Sequence, residues 1–462
     1  MQLARFLATM ASHAAAAALT PRVSRKVAVI GGGSAGVVAA RYLKRGGHEP
    51  TLFEAGATFG GVWAPAPTND VVYKSLRTNL PTVVMQSPDL DFAEGLPSYV
   101  DAEALGAYIE RYAAEFGVDA VARFGATVTS VAPVDGAWTV AWDGDGGCRD
   151  ERFDAVVVAN GHYNRPYEPE IAGQAAWLAA GGDRSISHSQ RYDEPSPYAG
   201  KSVLVVGGRS SGVDLARELR GVASWVYVME KKCAEPYGGD GVTHVPVGAE
   251  LTADGRMKVG ESYAPGPAVE RVLLATGYVY DFPFFEEEAV DMTFEGRRSC
   301  RPLYLHLQHA ARPTLGFVGV QLSVPCPIPF FEAQALYLAE ALGAPDAALA
   351  ARDEREAWVD ARLATVAASG REQDLHYTSA EGDNAWAYIR RLVDLAGAPQ
   401  VDGDPSWLQS PAFDHRLKTV ESVYDDRGRR YPTKPWHDDA YRRCDYAVDW
   451  AAGTWTVDAS RC

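Results

Sequence analysis

The chain has 462 residues, 47% hydrophobic and 23% charged, with 44 Lys or Arg against 60 Asp or Glu and a formal net charge of −16. That length accommodates two or three domain-sized units, and the acidic balance argues against nucleic acid or anionic lipid as a partner. Six scattered cysteines without a C-x-x-C, and ten histidines without ligand-like spacing, argue against a disulfide framework and against a metal site.

No acidic residue precedes Glu49, and residues 1–25 carry Arg5, Arg22 and Arg25 among Ala, Ser and Thr. Two readings stay open for this stretch, an organellar transit peptide and a disordered tail. No apolar run reaches the roughly 18 residues that would span a bilayer, so a soluble protein, cytoplasmic or organellar, is expected.

Lys26 to Ile30 reads as a buried parallel strand and Val37 to Arg45 as a helix, stopped by Gly46-Gly47. Between them lies the glycine-rich turn of VAVIGGGSAG (27–36). Gly31, Gly33 and Gly36 fall where a dinucleotide fold needs a tight turn, a close approach to pyrophosphate and a helix–strand contact. The next strand, Pro50 to Phe53, ends at Glu54, where a carboxylate would meet a ribose hydroxyl. A proline-rich loop (64–97) precedes a helix from about Asp101, its N-cap, to Phe116, with the stripe Leu105, Ile109, Tyr112 and Phe116. Alternating strands at 126–134 and 138–142 form a small antiparallel β-meander. Phe153 to Ala159 then returns as one apolar strand, ending at Asn160-Gly161-His162 beside the cofactor crevice.

A second turn of the same design, VLVVGGRSSG (203–212), keeps Gly207 and Gly212 but carries Arg209 between them. That side chain obstructs the closest backbone approach, although its guanidinium could grip a phosphate. The following strand, Trp225 to Met229, leads into Glu230-Lys231-Lys232. Glu230 suits the free 2′-hydroxyl of NADH, the lysines suit the 2′-phosphate of NADPH, and a plain βα turn with a solvated charge run is the competing reading. A strand at 271–275 closes on Thr276-Gly277-Tyr278. The chain then returns through Leu315–Gly319 and a helix at 330–342, and beyond about 370 it reads as covering structure without assignable chemistry. The expectation is an α/β protein with two dinucleotide-binding, Rossmann-like domains. An FAD-binding domain (26–184 and 301–462) would be interrupted by an inserted NADPH-binding domain (185–300).

Several motifs occur in order: GGGSAG (31–36), GGVW (60–63), YKSLRTNLP (73–81), ANGHYNRPYEP (159–169), HSQRY (188–192), VVGGRSSGVD (205–214), ATGY (275–278) and VPCPIPFFEAQ (324–334). Over about 27–345 the chain thereby resembles the class B flavin-containing monooxygenases, particularly their fungal, plant and algal branches. It departs from them at Gly182 and Arg184, where the family usually has Phe-x-Gly, and at Arg209. The resemblance implies FAD at Gly31, Gly33, Ser34, Gly36, Glu54 and Gly161, with Gly61 and Trp63 on the flavin side. NADPH would face Gly207, Arg209, Ser210, Ser211, Gly212 and Lys231, with Thr276, Gly277 and Tyr278 nearby.

Asn79 matches the family asparagine near the flavin C4a and is the candidate catalytic residue; by itself it would read as a turn residue before Leu80-Pro81. His188 and Tyr192 are expected to couple the domains, and Pro325–Phe331 to form a lid. The implied chemistry is reduction of FAD by NADPH, then oxygenation of a small thioether or amine by a C4a-hydroperoxyflavin formed with O₂. Baeyer–Villiger oxygenation of ketones, against which Tyr192 argues, and a non-catalytic flavin-binding redox module are the alternatives. A homodimer is left open.

Overall fold

The computed structural model describes residues 22–65, 71–144, 146–294, 298–344, 350–369, 375–376, 384–397, 406–432 and 438–460. The expected leader therefore lies mostly outside the described residues. Its last four do not behave as tail. The Val23 amide donates to Gly343 O (2.9 Å), Arg25 Nε to Leu342 O (2.8 Å), and Arg22 pairs with Glu340. The last carbonyls of a helix have no partner within it, and residues 22–25 supply partners at the end of the helix carrying Glu340.

β1 (Lys26–Ile30) is buried from Val27 onward, as a strand covered on both faces must be. α1 (Ser34–Arg45) follows, and β2 (Glu49–Phe53) lies parallel to β1 with Ile30 opposite Phe53. α2 (Ala102–Glu115) starts where the Asp101 carboxylate accepts the Ala104 amide at 2.9 Å. β3 (Ala122–Arg123) joins the edge of β2. β4 (Thr127–Val134), β5 (Ala137–Gly144) and β6 (Gly147–Phe153) make a separate antiparallel meander. The expected single strand Phe153–Ala159 is interrupted: Asp154 accepts the Lys26 amide (2.8 Å) and separates β6 from β7 (Ala155–Val158), which pairs with β1.

The chain then builds a second sheet from β8 (Ser185–His188), β9 (Ser202–Val206), α3 (Ser210–Arg220), β10 (Trp225–Glu230), β11 (Tyr237–Gly239), β12 (Val242–Pro246) and β13 (Arg271–Leu274). Its order is β11-β12-β10-β9-β13-β8. Only afterwards do β14 (Leu303–Tyr304), β15 (Gln308–His309) and β16 (Leu315–Phe317) complete the first sheet, in the order β14-β15-β16-β7-β1-β2-β3. The second sheet is thus an insertion in the first. α4 (Pro327–Gly343) packs on α1, and α5 (Arg352–Ser369), α6 (Ala385–Ala396) and α7 (Phe413–Arg430) follow.

A buried ionic cluster ties these layers together. Glu332 of α4 accepts from Arg41 (2.7 Å), Tyr112 (2.7 Å), Ser87 (2.8 Å) and Trp407 Nε1 (2.6 Å), while Arg41 also reaches Asp89 (2.6 Å). Cys444 is disulfide-bonded, unlike the expectation from the scattered cysteines; Cys148, Cys233, Cys300 and Cys326 are free. Among the described residues no helix is long and apolar enough to cross a membrane.

Candidate active site

The two glycine turns have one geometry. Ile30 lies opposite Phe53 and Val206 opposite Met229; the Gly31 amide donates to Phe53 O (2.8 Å) and that of Gly207 to Met229 O (2.9 Å). Gly31 sits at φ +107° and Gly207 at φ +124°, and a Cβ on either would collide with the carbonyl of Ala159 or Ala275. A Cβ on Gly36 or Gly212 would strike the Gly31 or Gly207 carbonyl. These four positions need glycine for reasons internal to the chain.

Gly33 does not. Its φ is an ordinary −73°, and a Cβ there would make only normal contact with the Gly61 backbone, at 3.5 Å. What such a side chain would fill is the cleft in front of the first amides of α1. Neither α1 nor α3 has a side-chain cap or an acid in its first turn, so both present amides to an incoming anion. The donor set and the cradle at Gly33 fit the pyrophosphate of FAD. At the second turn Arg209 occupies the matching position, extended (φ −96°) and exposed.

Both turns contribute to one cleft of about 1050 Å³. Its wall includes Gly31, Gly33, Ser34, Glu54, Gly61, Trp63, Asn79 and Gly161 from the first unit, and Ser210, Ser211 and Tyr278 from the second. Gly36 and Gly212 lie behind it, at the helix–strand contacts. Lys231 is exposed just beyond the end of β10 and absent from the wall, as are Gly207, Arg209, Thr276 and Gly277. The Thr276 hydroxyl donates to the Tyr167 carbonyl, and the Tyr167 amide donates to Gly277 O (2.9 Å). The Glu54 carboxylate bridges the Gly32 and Gly56 amides, 2.6 Å each.

Asn79 stands between the turns. Its Nδ2 donates to Ser210 Oγ (3.3 Å), at the start of α3. Its carbonyl accepts Arg427 Nε (2.7 Å), and the preceding Thr78 carbonyl accepts Arg442 Nε (3.1 Å). Arg442 continues to Asp214 of α3 (2.9 Å), which also receives Arg217 (2.7 Å) and the Tyr73 hydroxyl (3.0 Å). Burial works against the Arg442 charge, and Asp214 more than offsets it, raising the guanidinium above its usual range. The C-terminal segment thus holds the Asn79 loop against the second helix, and Tyr424, Tyr431 and Tyr441 join it in the cleft wall. The sequence alone assigns this segment no role.

The segment expected as a lid lines the cleft through Pro327, Ile328 and Phe331 and, from Pro327 onward, is the start of α4. Pro327 and Pro329 lie in the first turn of α4, where proline is tolerated, and Ile328 and Phe330 are buried. His188 and Tyr192 do join elements. The Gln190 amide donates to His188 Nδ1 (3.1 Å), so Nε2 carries the proton and donates to Gly277 O (3.0 Å). The Tyr192 hydroxyl donates to Glu218 of α3 (2.7 Å), and its ring meets Tyr73 edge-on. His162, expected beside the crevice but given no role by the sequence, lines the cleft with Nδ1 3.1 Å from Gly319 O; burial pushes its imidazole down to about 4, the carbonyl opposing.

Comparison with known proteins places this geometry. The family described as "Flavin-binding monooxygenase-like" matches residues 24–234. "Flavin-containing monooxygenase FMO GS-OX-like 2" of Arabidopsis thaliana is 31% identical, over 91% of this chain and 93% of its own. Among solved structures, S-allyl-L-cysteine S-oxygenase from Allium sativum superposes with a TM-score of 0.75 at 30% identity, covering 90% of this chain and 96% of that one. Tmm from Pelagibacter sp. strain HTCC7211 shares the fold, with a TM-score of 0.71 at 18% identity over 93% and 95%. Two dinucleotide turns on one cleft, and relatives of this identity along nearly the whole length, establish that the chain belongs to the flavin-containing monooxygenases, FAD- and NADP(H)-dependent flavoproteins.

Proposed function

We propose that the protein uses FAD and NADPH to place one oxygen atom of O₂ on a soft nucleophile of a small molecule, a thioether sulfur first and an amine nitrogen second. The observation that carries this reading is Asn79, held between the two dinucleotide turns and lining their common cleft. The likeness to the S-allyl-L-cysteine S-oxygenase from Allium sativum supports sulfur as the acceptor. Bound flavin supplies the activation of O₂, and bound nicotinamide the hydride.

The chain supplies the rest. The first amides of α1, facing the open side of Gly33, bind pyrophosphate, and Glu54 orients the adenosine ribose. The Asn79 amide presents a donor into the cleft, and its bond to Ser210 fixes its orientation. Arg427 and Arg442 immobilise the two carbonyls beside it. Phe331, Ile328 and Trp63 contribute apolar wall that excludes water. On this reading 26–184 and 301–462 form the FAD unit, and 185–300 the NADPH unit.

Purified protein supplied with NADPH and O₂ should convert a dialkyl thioether to its sulfoxide, more slowly a tertiary amine to its N-oxide, and a cyclic ketone not at all. Lactone as the sole product would overturn the choice of acceptor, and NADPH oxidation without any oxygenated product would overturn the monooxygenase reading for this chain.

A further inference from the structure

The first sheet provides an internal reference for the second. Glu54 and Glu230 each follow the last glycine of their turn by 18 residues, and each directly follows the strand residue opposite the end of the central strand. Each also lies over the second position of its own turn. A Cβ on Gly32 would stand 2.9 Å from Glu54 Oε2, and one on Gly208 2.6 Å from Glu230 Oε2. The FAD ribose that Glu54 would meet carries a free 2′-hydroxyl, and Glu230 stands at the equivalent place in the site for the nicotinamide dinucleotide.

Glu230 is not free to leave. Its side chain is 11% exposed, its Oε1 lies 2.6 Å from Nδ1 of the buried His244, and the Tyr237 hydroxyl donates to the same oxygen at 3.2 Å. The Tyr237 and His244 rings are stacked at 4.6 Å, closing that side. A carboxylate so placed accepts a hydrogen bond from a 2′-hydroxyl, whereas a 2′-phosphate would bring about two further negative charges against it. Lys231 and Lys232 are exposed, so their attraction for that phosphate is exercised through water and is screened.

We propose that Glu230 is the coenzyme-selectivity residue of this enzyme. It cancels most of the advantage of the 2′-phosphate, so that NADH enters the second site about as readily as NADPH. The inference rests on the reading of the second turn as the nicotinamide-dinucleotide site.

The test is calorimetric titration of the FAD-loaded enzyme with NAD⁺ and NADP⁺, which differ only in the 2′-phosphate and do not reduce the flavin. Parent enzyme should bind the two within about threefold of each other, and Glu230→Gln, which keeps an acceptor for His244 and Tyr237, should tighten NADP⁺ by about tenfold with little change for NAD⁺. Lys231→Ala should weaken NADP⁺ alone. A parent preference for NADP⁺ well above tenfold, unmoved by Glu230→Gln, would overturn the role of Glu230 while leaving the site in place. If neither coenzyme binds the parent, the second-site reading itself fails, and this proposal with it. Flavin absorbance near 450 nm, measured on every variant, reports whether the fold is intact.

Discussion

Arg442→Ala tests the clamp that the C-terminal segment places on the Asn79 loop. The variant leaves Asp214, itself buried, with Arg217 and Tyr73 as remaining partners, and deprives the Thr78 carbonyl of its donor. Breaking a buried ion pair by removing one member costs about 3–5 kcal/mol; the two surviving partners reduce this to about 2 kcal/mol. The orphaned carbonyl adds about 1 kcal/mol. For a cooperative unit of roughly 150–250 residues, a loss of about 3 kcal/mol lowers Tm by about 6–12 °C. Thermal unfolding, followed by the rise in flavin fluorescence on release, measures it. A cycle with Asp214→Asn should return a coupling of about 1.5–2.5 kcal/mol. In the same variant KM for NADPH should rise and H₂O₂ released per NADPH should increase, because the Asn79 loop has lost one of its two guanidinium supports. A Tm within about 1 °C of the parent together with zero coupling would show that Arg442 does not clamp the loop.

Asn79→Ala should reduce its flavin at nearly the parent rate but divert most reducing equivalents to H₂O₂; slow reduction with efficient sulfoxide formation would put Asn79 in the hydride step instead. Gly33→Val should fold yet purify with little flavin, since its side chain meets only the cleft and the Gly61 backbone; full 450 nm absorbance would refute the pyrophosphate assignment. Glu332→Gln should cost about 2 kcal/mol, less than a fully broken buried pair because Asp89 still compensates Arg41, which urea unfolding would read and an unchanged midpoint would contradict. A chain starting at residue 26 should melt several degrees below one starting at residue 22, through the lost contacts at Leu342 and Gly343; equal Tm values for the two truncations would show that these contacts contribute nothing.

What could be read from the chain was set by short-range geometry. Gly31, Gly36, Gly207 and Gly212 are required by neighbours that any such turn brings with it, so their spacing is a reliable signal. β6 was missed because GCRDERF buries only Phe153 and shows no alternation. The helix expected from Phe330 begins three residues earlier, because proline is tolerated in a first turn and Pro327 opens it. The clamp depends on hydrogen bonds spanning 348 and 364 residues, which no local pattern encodes. One trace of it was available: Tyr424, Arg427 and Tyr431 recur at helical spacing on a single face, a stripe neither wholly apolar nor wholly solvated.

The insertion of one sheet inside the other imposes an order of assembly. All strands of the inner sheet have been synthesised by Leu274, whereas β7 must wait for Leu315–Phe317 before its outer side is covered. A nascent chain therefore carries a finished inner sheet beside an outer one whose four-residue apolar strand, Ala155–Val158, still offers an open edge. Such edges pair with other chains. The vulnerable interval in making this enzyme falls between residues 274 and 315, and destabilising changes in that stretch should lower its yield more than its activity.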